Sequence, residues 1–183
     1  MSSFTTFIGT NWKQATEAVN GTIISPITVL SIAALESGNG GSVLSARYGN
    51  YFGIKGISQY GSVEMPTKEY INGRMVTIPQ NFRTYPNFAA SAKDFVNLIT
   101  SSSRYKNVLD YRDPVLQLTQ IMRSGYATDP DYIGKVSSAA RQIEAMRGLI
   151  TKSGPLTFIE IGLSALMAYG FIKTITSKPE KNG

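Results

Sequence analysis

Apolar residues recur at helical spacing in five stretches of this chain. The first covers roughly Thr10 to Val19. The second runs from Ser25 to Ser37 and stops at Gly38, after the run Ile27-Thr28-Val29-Leu30-Ser31-Ile32. Phe88 to Thr100 is the third and puts Phe88, Ala92, Phe95 and Ile99 on one stripe. Pro114 to Arg123 is the fourth, ended by Gly125. The fifth, Pro130 to Leu149, buries Ile133, Val136, Ala140 and Ile143, with Met146 as a further candidate. Start signals agree with this division. Ser25-Pro26, Asp113-Pro114 and Asp129-Pro130 each pair a capping side chain with proline at the first helical position. Asn87, after Tyr85-Pro86, offers a cap for the third helix, and Gly154-Pro155 opens the tail.

Between the second and third helices the pattern changes. In Glu64 to Tyr85, "EMPTKEYINGRMVTIPQNFRTY", Asn72-Gly73 separates two strand-like runs. Both residues tolerate positive φ, so the dipeptide signals a hairpin. The expected fold is α+β, mostly helical, with a small β-hairpin lobe facing a helical lobe. Two lobes leave a cleft, where sites form.

The end of the chain differs again. Leu156 to Ile172, "LTFIEIGLSALMAYGFI", is apolar almost all round, with Glu160 its only charge. Lys152 precedes it, and Lys173, Lys178 and Lys181 follow. Its length is at the short end of the ~17–25 residues that cross a bilayer, and Tyr169 suits an interface. The reading is a domain at 1–150, a membrane-anchoring C-terminal hydrophobic helix at 155–173 and a basic tail at 174–183. A buried core helix is the alternative, and Glu160 argues for it. Lysines at both ends leave the orientation open.

Composition narrows the chemistry. The 183 residues suffice for one domain with a real core. A net charge of +6 favours anionic partners: nucleic acid, membrane headgroups or cell-wall polymer. The Lys and Arg residues are scattered and no nucleic-acid-binding signature accompanies them, so no nucleic acid is expected. There is no cysteine and no histidine. Disulfides, thiolate zinc sites and Ser-His-Asp catalysis are therefore excluded, and acid–base work falls on Glu, Asp, Tyr or Lys. The first residues, "MSSFTTF", do not read as a signal peptide.

One carboxylate stands out. Glu36 closes the apolar second helix, one turn after Ile32, and Gly38, Gly40 and Gly41 break the backbone beside it. A carboxyl in apolar surroundings holds its proton to higher pH, which suits a general acid. An exposed Glu on the rim of a last helical turn is the plainer account.

The residues also carry a family resemblance. "SPITVLSIAALESGNGGSVLSARYGNYFGIKG" (25–56) closely resembles the signature of glycoside hydrolase family 73, the peptidoglycan-cleaving N-acetylglucosaminidases. The likeness continues through Met65–Ile99, "RYKNVL" (104–109) and "SGYATDPDYIGKV" (124–136). It implies a lysozyme-like fold and hydrolysis of the β-1,4 bond between N-acetylglucosamine and N-acetylmuramic acid in peptidoglycan glycan strands, without cofactor or metal. Carried over by position, Glu36 matches the catalytic acid, Glu69 the second acidic residue on the hairpin, and Tyr126 the motif tyrosine at the cleft. Asn39, Asn50, Phe52, Lys55 and Tyr132 become candidate substrate contacts. Asn39 stands where the family usually has tryptophan. Each has a plainer role: Glu69 as a surface charge, with Glu64 in reserve should the register differ, and Tyr126 as helix packing. Arg47, Lys55 and Arg83 are candidates to meet stem-peptide carboxylates. The expected setting is a phage protein, associated with a membrane and with other virion proteins, that acts on the bacterial wall during entry. A lytic transglycosylase and an inactive wall-binding protein are the alternatives.

Overall fold

The structure, a computed structural model, describes residues 3–71, 73–127 and 131–152, with backbone only at 68–71 and 148–152. Among the described residues six α-helices, one 3-10 helix and two strands follow in the order α1 (Ser3–Ala18), α2 (Pro26–Glu36), α3 (Val43–Tyr48), β1 (Ser62–Ile71), β2 (Arg74–Arg83), α4 (Phe88–Ser101), a 3-10 helix (Ser103–Asp110), α5 (Pro114–Arg123) and α6 (Tyr132–Lys152). The four helices α1, α4, α5 and α6 surround α2. That explains why α2 shows no polar face: every residue from Ile27 to Ala34 is buried. Its two buried hydroxyls are satisfied, Ser31 by donating to the Ile27 carbonyl at 2.7 Å and Thr28 by donating to Gln117 Oε1 at 2.7 Å.

The capping signals act as the sequence suggests. Ser25, Asn87 and Asp113 each accept a hydrogen bond from a backbone N–H of the first turn they precede. The expected stripe Phe88, Ala92, Phe95 and Ile99 is buried on α4. Three differences stand beside these agreements. Helix α1 begins at Ser3 rather than near Thr10, because Phe7 and Ile8 already lie on its buried face. The short α3 and the 3-10 helix were not foreseen, being too brief for a helical period to show. Ile133 is exposed on α6, whereas Val136, Ala140 and Ile143 are buried. The cap at Asp129-Pro130 lies outside the described residues, and so does the expected hydrophobic helix at 155–173. Among the described residues no helix is long and apolar enough to cross a membrane.

The β-lobe is a single antiparallel ribbon. Ile71 pairs with Arg74, leaving two residues between the strands, and Gly73 has φ +77°. The two strands pack chiefly on each other. Pro66 sits opposite Pro79, a placement tolerated because both strands are edges. The base of the ribbon is tied to the body through residues 54–56: Arg83 N–H donates to the Ile54 carbonyl at 2.9 Å and Gly56 N–H to the Asn81 carbonyl at 2.8 Å.

Candidate active site

The last turn of α2 delivers Glu36 to a groove of about 480 Å3 at the junction of the two lobes. One wall is the segment Phe52–Lys55. The other comes from Arg104, Tyr105, Gly125 and Tyr126, with Leu98 and Ser102 between and Arg83 at the hairpin base. The backbone leaves α2 sharply. Gly38, Asn39 and Gly40 have φ of +56°, +58° and +82°, three left-handed residues in a row. Asparagine is one of the few side chains that sits easily there.

Glu36 is exposed on the last turn of α2, as the plainer account has it, and its side chain opens onto the groove rather than being sealed under it. Its pKa is nevertheless raised, because the protein crowded around the carboxyl displaces water; a hydrogen bond from Tyr132 opposes this and offsets it only in part. The site on α2 acts in the same direction, since the C-terminal end of a helix is its negative pole. Tyr132, from the first turn of α6, donates its hydroxyl to Glu36 Oε1, and its own pKa is pushed up by burial and by the carboxylate. The other oxygen faces Gly53. A Cβ added there would lie 3.7 Å from Oε2, and with φ +64° the position favours glycine on backbone grounds as well. One oxygen is therefore held and the other has space beside it, an arrangement that can present a proton to a ligand.

The other residues singled out in the sequence are placed as follows. Tyr126 lines the groove, but its hydroxyl donates to the Phe52 carbonyl at 2.8 Å. Desolvation is the main reason its pKa lies well above the usual tyrosine value, with the Glu36 charge adding to it. The ring meets Phe95 edge-on, and Phe95 stacks on Phe52 at 4.4 Å. Phe52 is buried, so it forms the floor from below. Lys55 is exposed at the groove edge. Asn50 is buried and fully occupied. Its amide donates to the carbonyls of Ile54 at 3.0 Å and Arg83 at 2.8 Å, and its oxygen accepts from the N–H groups of Phe52 and Ile54. It ties the Phe52–Lys55 wall to the hairpin base and has no hydrogen-bonding capacity left for a ligand. Asn39 points away, donating to Ser3 Oγ at 3.2 Å, and does not line the groove. Glu69 takes the register position opposite Val76, and Glu64 that opposite Asn81. Where the Glu69 carboxylate lies is outside the described side chains. Its backbone is seven residues beyond Ser62, about 23 Å along the strand at ~3.3 Å per residue.

Two features were missed. The contact of Tyr132 with Glu36 joins residues 96 apart, and no local pattern announces such a pairing. Arg104 clamps the segment before Tyr126 by donating to the carbonyls of Ser124 and Gly125. The only trace of it was its place at the head of "RYKNVL". Among the described residues no group of three acidic side chains converges to hold a metal ion.

The carboxyl and its partner give a pH prediction. Because the Tyr132 hydroxyl favours the ionised form of Glu36, Tyr132→Phe raises the Glu36 pKa further. The alkaline limb of a pH–rate profile then moves to higher pH while the maximal rate falls, and a limb that moves to lower pH contradicts the assigned contact.

Residues 12–145 match the family profile described as mannosyl-glycoprotein endo-beta-N-acetylglucosaminidase. The chain is 33% identical over 156 residues to the peptidoglycan hydrolase FlgJ of Pseudomonas aeruginosa, covering 81% of this chain and 39% of that protein. It is 35% identical over 126 residues to the exo-glucosaminidase LytG of Bacillus subtilis, covering 66% of this chain and 45% of that one. The chain thus spans about two fifths of the length of these curated relatives. Among solved structures, the catalytic domain of the autolysin Auto from Listeria monocytogenes superposes with a TM-score of 0.70 at 28% identity, covering 79% of this chain and 86% of that one.

Proposed function

Because this chain belongs to the glucosaminidase family, glycoside hydrolase family 73, we propose that it hydrolyses the β-1,4 bond between N-acetylglucosamine and N-acetylmuramic acid in peptidoglycan. The observation that carries this reading is Glu36: a carboxyl with a raised pKa at the head of a groove, one oxygen held by Tyr132 and the other beside Gly53. Protonated, it acts as general acid on the glycosidic oxygen as the bond to the leaving sugar breaks. Tyr126 and Arg104 act through position: the first fixes the Phe52 carbonyl, the second the loop that carries Tyr126.

The second step has two forms. If the hairpin carries Glu69 to about 6.5–9.5 Å from Glu36, it activates a water and the anomeric configuration inverts. If it does not, the 2-acetamido oxygen of the sugar attacks the anomeric carbon as the bond to the leaving sugar breaks. Water then opens the cyclic intermediate at the same carbon while ionised Glu36 takes its proton, and the two inversions leave the configuration retained, an established exception to the two-carboxylate scheme. NMR of the first-formed anomer separates the two. Inversion accompanied by a loss of about 10²-fold or more in Glu69→Gln fits the first form; retention with a nearly unaffected Glu69→Gln fits the second. Mass spectrometry of the same products tests the whole reading. New reducing N-acetylglucosamine ends are expected, and anhydro-muramic ends would replace hydrolysis with a transglycosylase reaction.

A further inference from the structure

We propose that a second cavity, beside the groove on the face of α4, binds the acidic peptide branch of the wall polymer; this rests on the peptidoglycan reading above. The cavity holds about 380 Å3. Ala90, Lys93, Asp94 and Asn97 line it at three- and four-residue spacing, one face of α4, and Leu98, with Ser102 just past the helix end, carries that face on into the groove. Arg83 lines both spaces. From Asn97 to Ala90 is about 10 Å at ~1.5 Å per residue. The cavity and the groove thus lie along one helix and share Arg83, so a side branch of a strand held in the groove can enter the cavity.

The outer wall presents apolar surface that the fold leaves uncovered. Ile57 is 70% exposed and Tyr60 51% exposed. Their loop is nevertheless built firmly. Ser58 Oγ accepts from the Tyr60 N–H at 2.9 Å and donates to the Thr84 carbonyl at 2.7 Å, while Thr84 Oγ1 donates to the Tyr60 carbonyl at 2.9 Å. Tyr60 also meets the Tyr85 ring edge-on at 6.4 Å. An exposed aromatic held by its backbone on both sides keeps its place without a ligand, so little ordering opposes binding.

Charge identifies the occupant. Asp94 is already engaged: Arg83 bonds it at 2.7 Å and the Tyr85 hydroxyl donates to the same oxygen. Arg83 has terminal N–H donors beyond that one bond, while its Nε is buried and out of a ligand's reach. Lys93 is exposed on the rim, and Arg47 lines an adjoining hollow on the other side of Tyr60 and Tyr85. Within the cavity two cations, Arg83 and Lys93, stand against one carboxylate, and Arg47 adds positive charge next door, a balance that suits an anion. In a branched strand the lactyl carboxyl of the muramic sugar is tied up in the amide that carries the peptide, so the charge comes from the branch, with its free carboxylates and with short aliphatic side chains that fit Ile57 and Tyr60.

The test uses soluble glycan strands with peptide branches and the same strands stripped of them, the lactyl carboxyls that stripping exposes being converted to amides. Tyr60→Ala and Lys93→Glu are expected to raise KM on branched strands about tenfold, the scale of one charge-assisted contact, and to leave turnover of stripped strands unchanged. Equal losses on both substrates, or none on either, overturn the proposal. A synthetic acidic tetrapeptide with the sequence of the branch supplies a readout independent of cleavage. Its binding to wild type should shift the amide resonances of Tyr60 and Lys93, and Lys93→Glu should weaken it. Equal binding by the two proteins overturns the proposal. Wild type that binds the tetrapeptide but cleaves neither strand ends the hydrolase reading and leaves this site standing.

Discussion

Glu36→Gln is expected to lower the clearing of peptidoglycan by about 10²–10⁴-fold, the range that a positioned general acid contributes, while the fold is kept. The amide is nearly isosteric, and its oxygen still accepts the Tyr132 hydroxyl that Oε1 accepts now. A second signature distinguishes loss of a proton from loss of structure. The pKa of Glu36 is raised in the folded protein, so the folded state holds this proton more tightly than the unfolded chain. Below the unfolded carboxylate range, near pH 4, both states are protonated and the favourable contribution is complete. As pH rises through the folded pKa, the contribution is lost, and ionised Glu36 weighs on the fold. Glutamine carries no such penalty. Melting curves should therefore show Glu36→Gln gaining on wild type between pH 4 and pH 8. A variant that instead loses ground toward pH 8 would mean that the fold favours the carboxylate, and the acid role would fail with it.

How far this site was legible in the sequence depends on the separation of its parts. Glu36 was readable because desolvation and helix-end geometry are local: the apolar run, the carboxylate and the glycines are contiguous. The helices with capped starts were readable for the same reason, as was the hairpin from Asn72-Gly73. Asn50 shows where such reading stops. An asparagine in a groove-lining block looks like a sugar contact, yet it is consumed by four backbone groups, one of them Arg83 O on the far side of the hairpin. Asn39 is similar: it faces α1 because of the left-handed turn, and that direction is set by three successive positive φ values. Tyr132 reads in the sequence as a substrate contact, and the structure shows its hydroxyl donating to Glu36, a contact made by packing α6 against α2. Nothing in its neighbours along the chain distinguishes the two roles.

Gln117→Leu is expected to destabilise the domain by about 2–4 kcal/mol, because it removes a buried polar junction on which the placement of α2 depends. Gln117 lies on α5 with no exposed surface. Its oxygen accepts from the Ser25 N–H at 3.0 Å and the Thr28 hydroxyl at 2.7 Å, and its amide donates to the carbonyls of Ile23 and Tyr111, both at 2.9 Å. Three of these partners belong to the start of α2 or the segment leading into it. Leucine fills most of the volume but leaves four polar groups without their partner, and an unmade buried hydrogen bond is disfavoured more than a made one is favoured. At about 2–4 °C per kcal/mol for a domain of this size, the melting temperature falls by roughly 5–15 °C. Thr28→Val removes one member of the junction and should cost about 1–2 kcal/mol. In the double variant the Thr28 hydroxyl is no longer orphaned, so the combined loss is smaller than the sum of the two. Strict additivity would mean that the two side chains act separately. Glu36 sits at the opposite end of the same helix, three turns away, and the chemistry does not touch Gln117. Activity per folded molecule well below the melting range should therefore stay near the wild-type value, and a parallel collapse of activity there would show that the junction also sets the position of the acid.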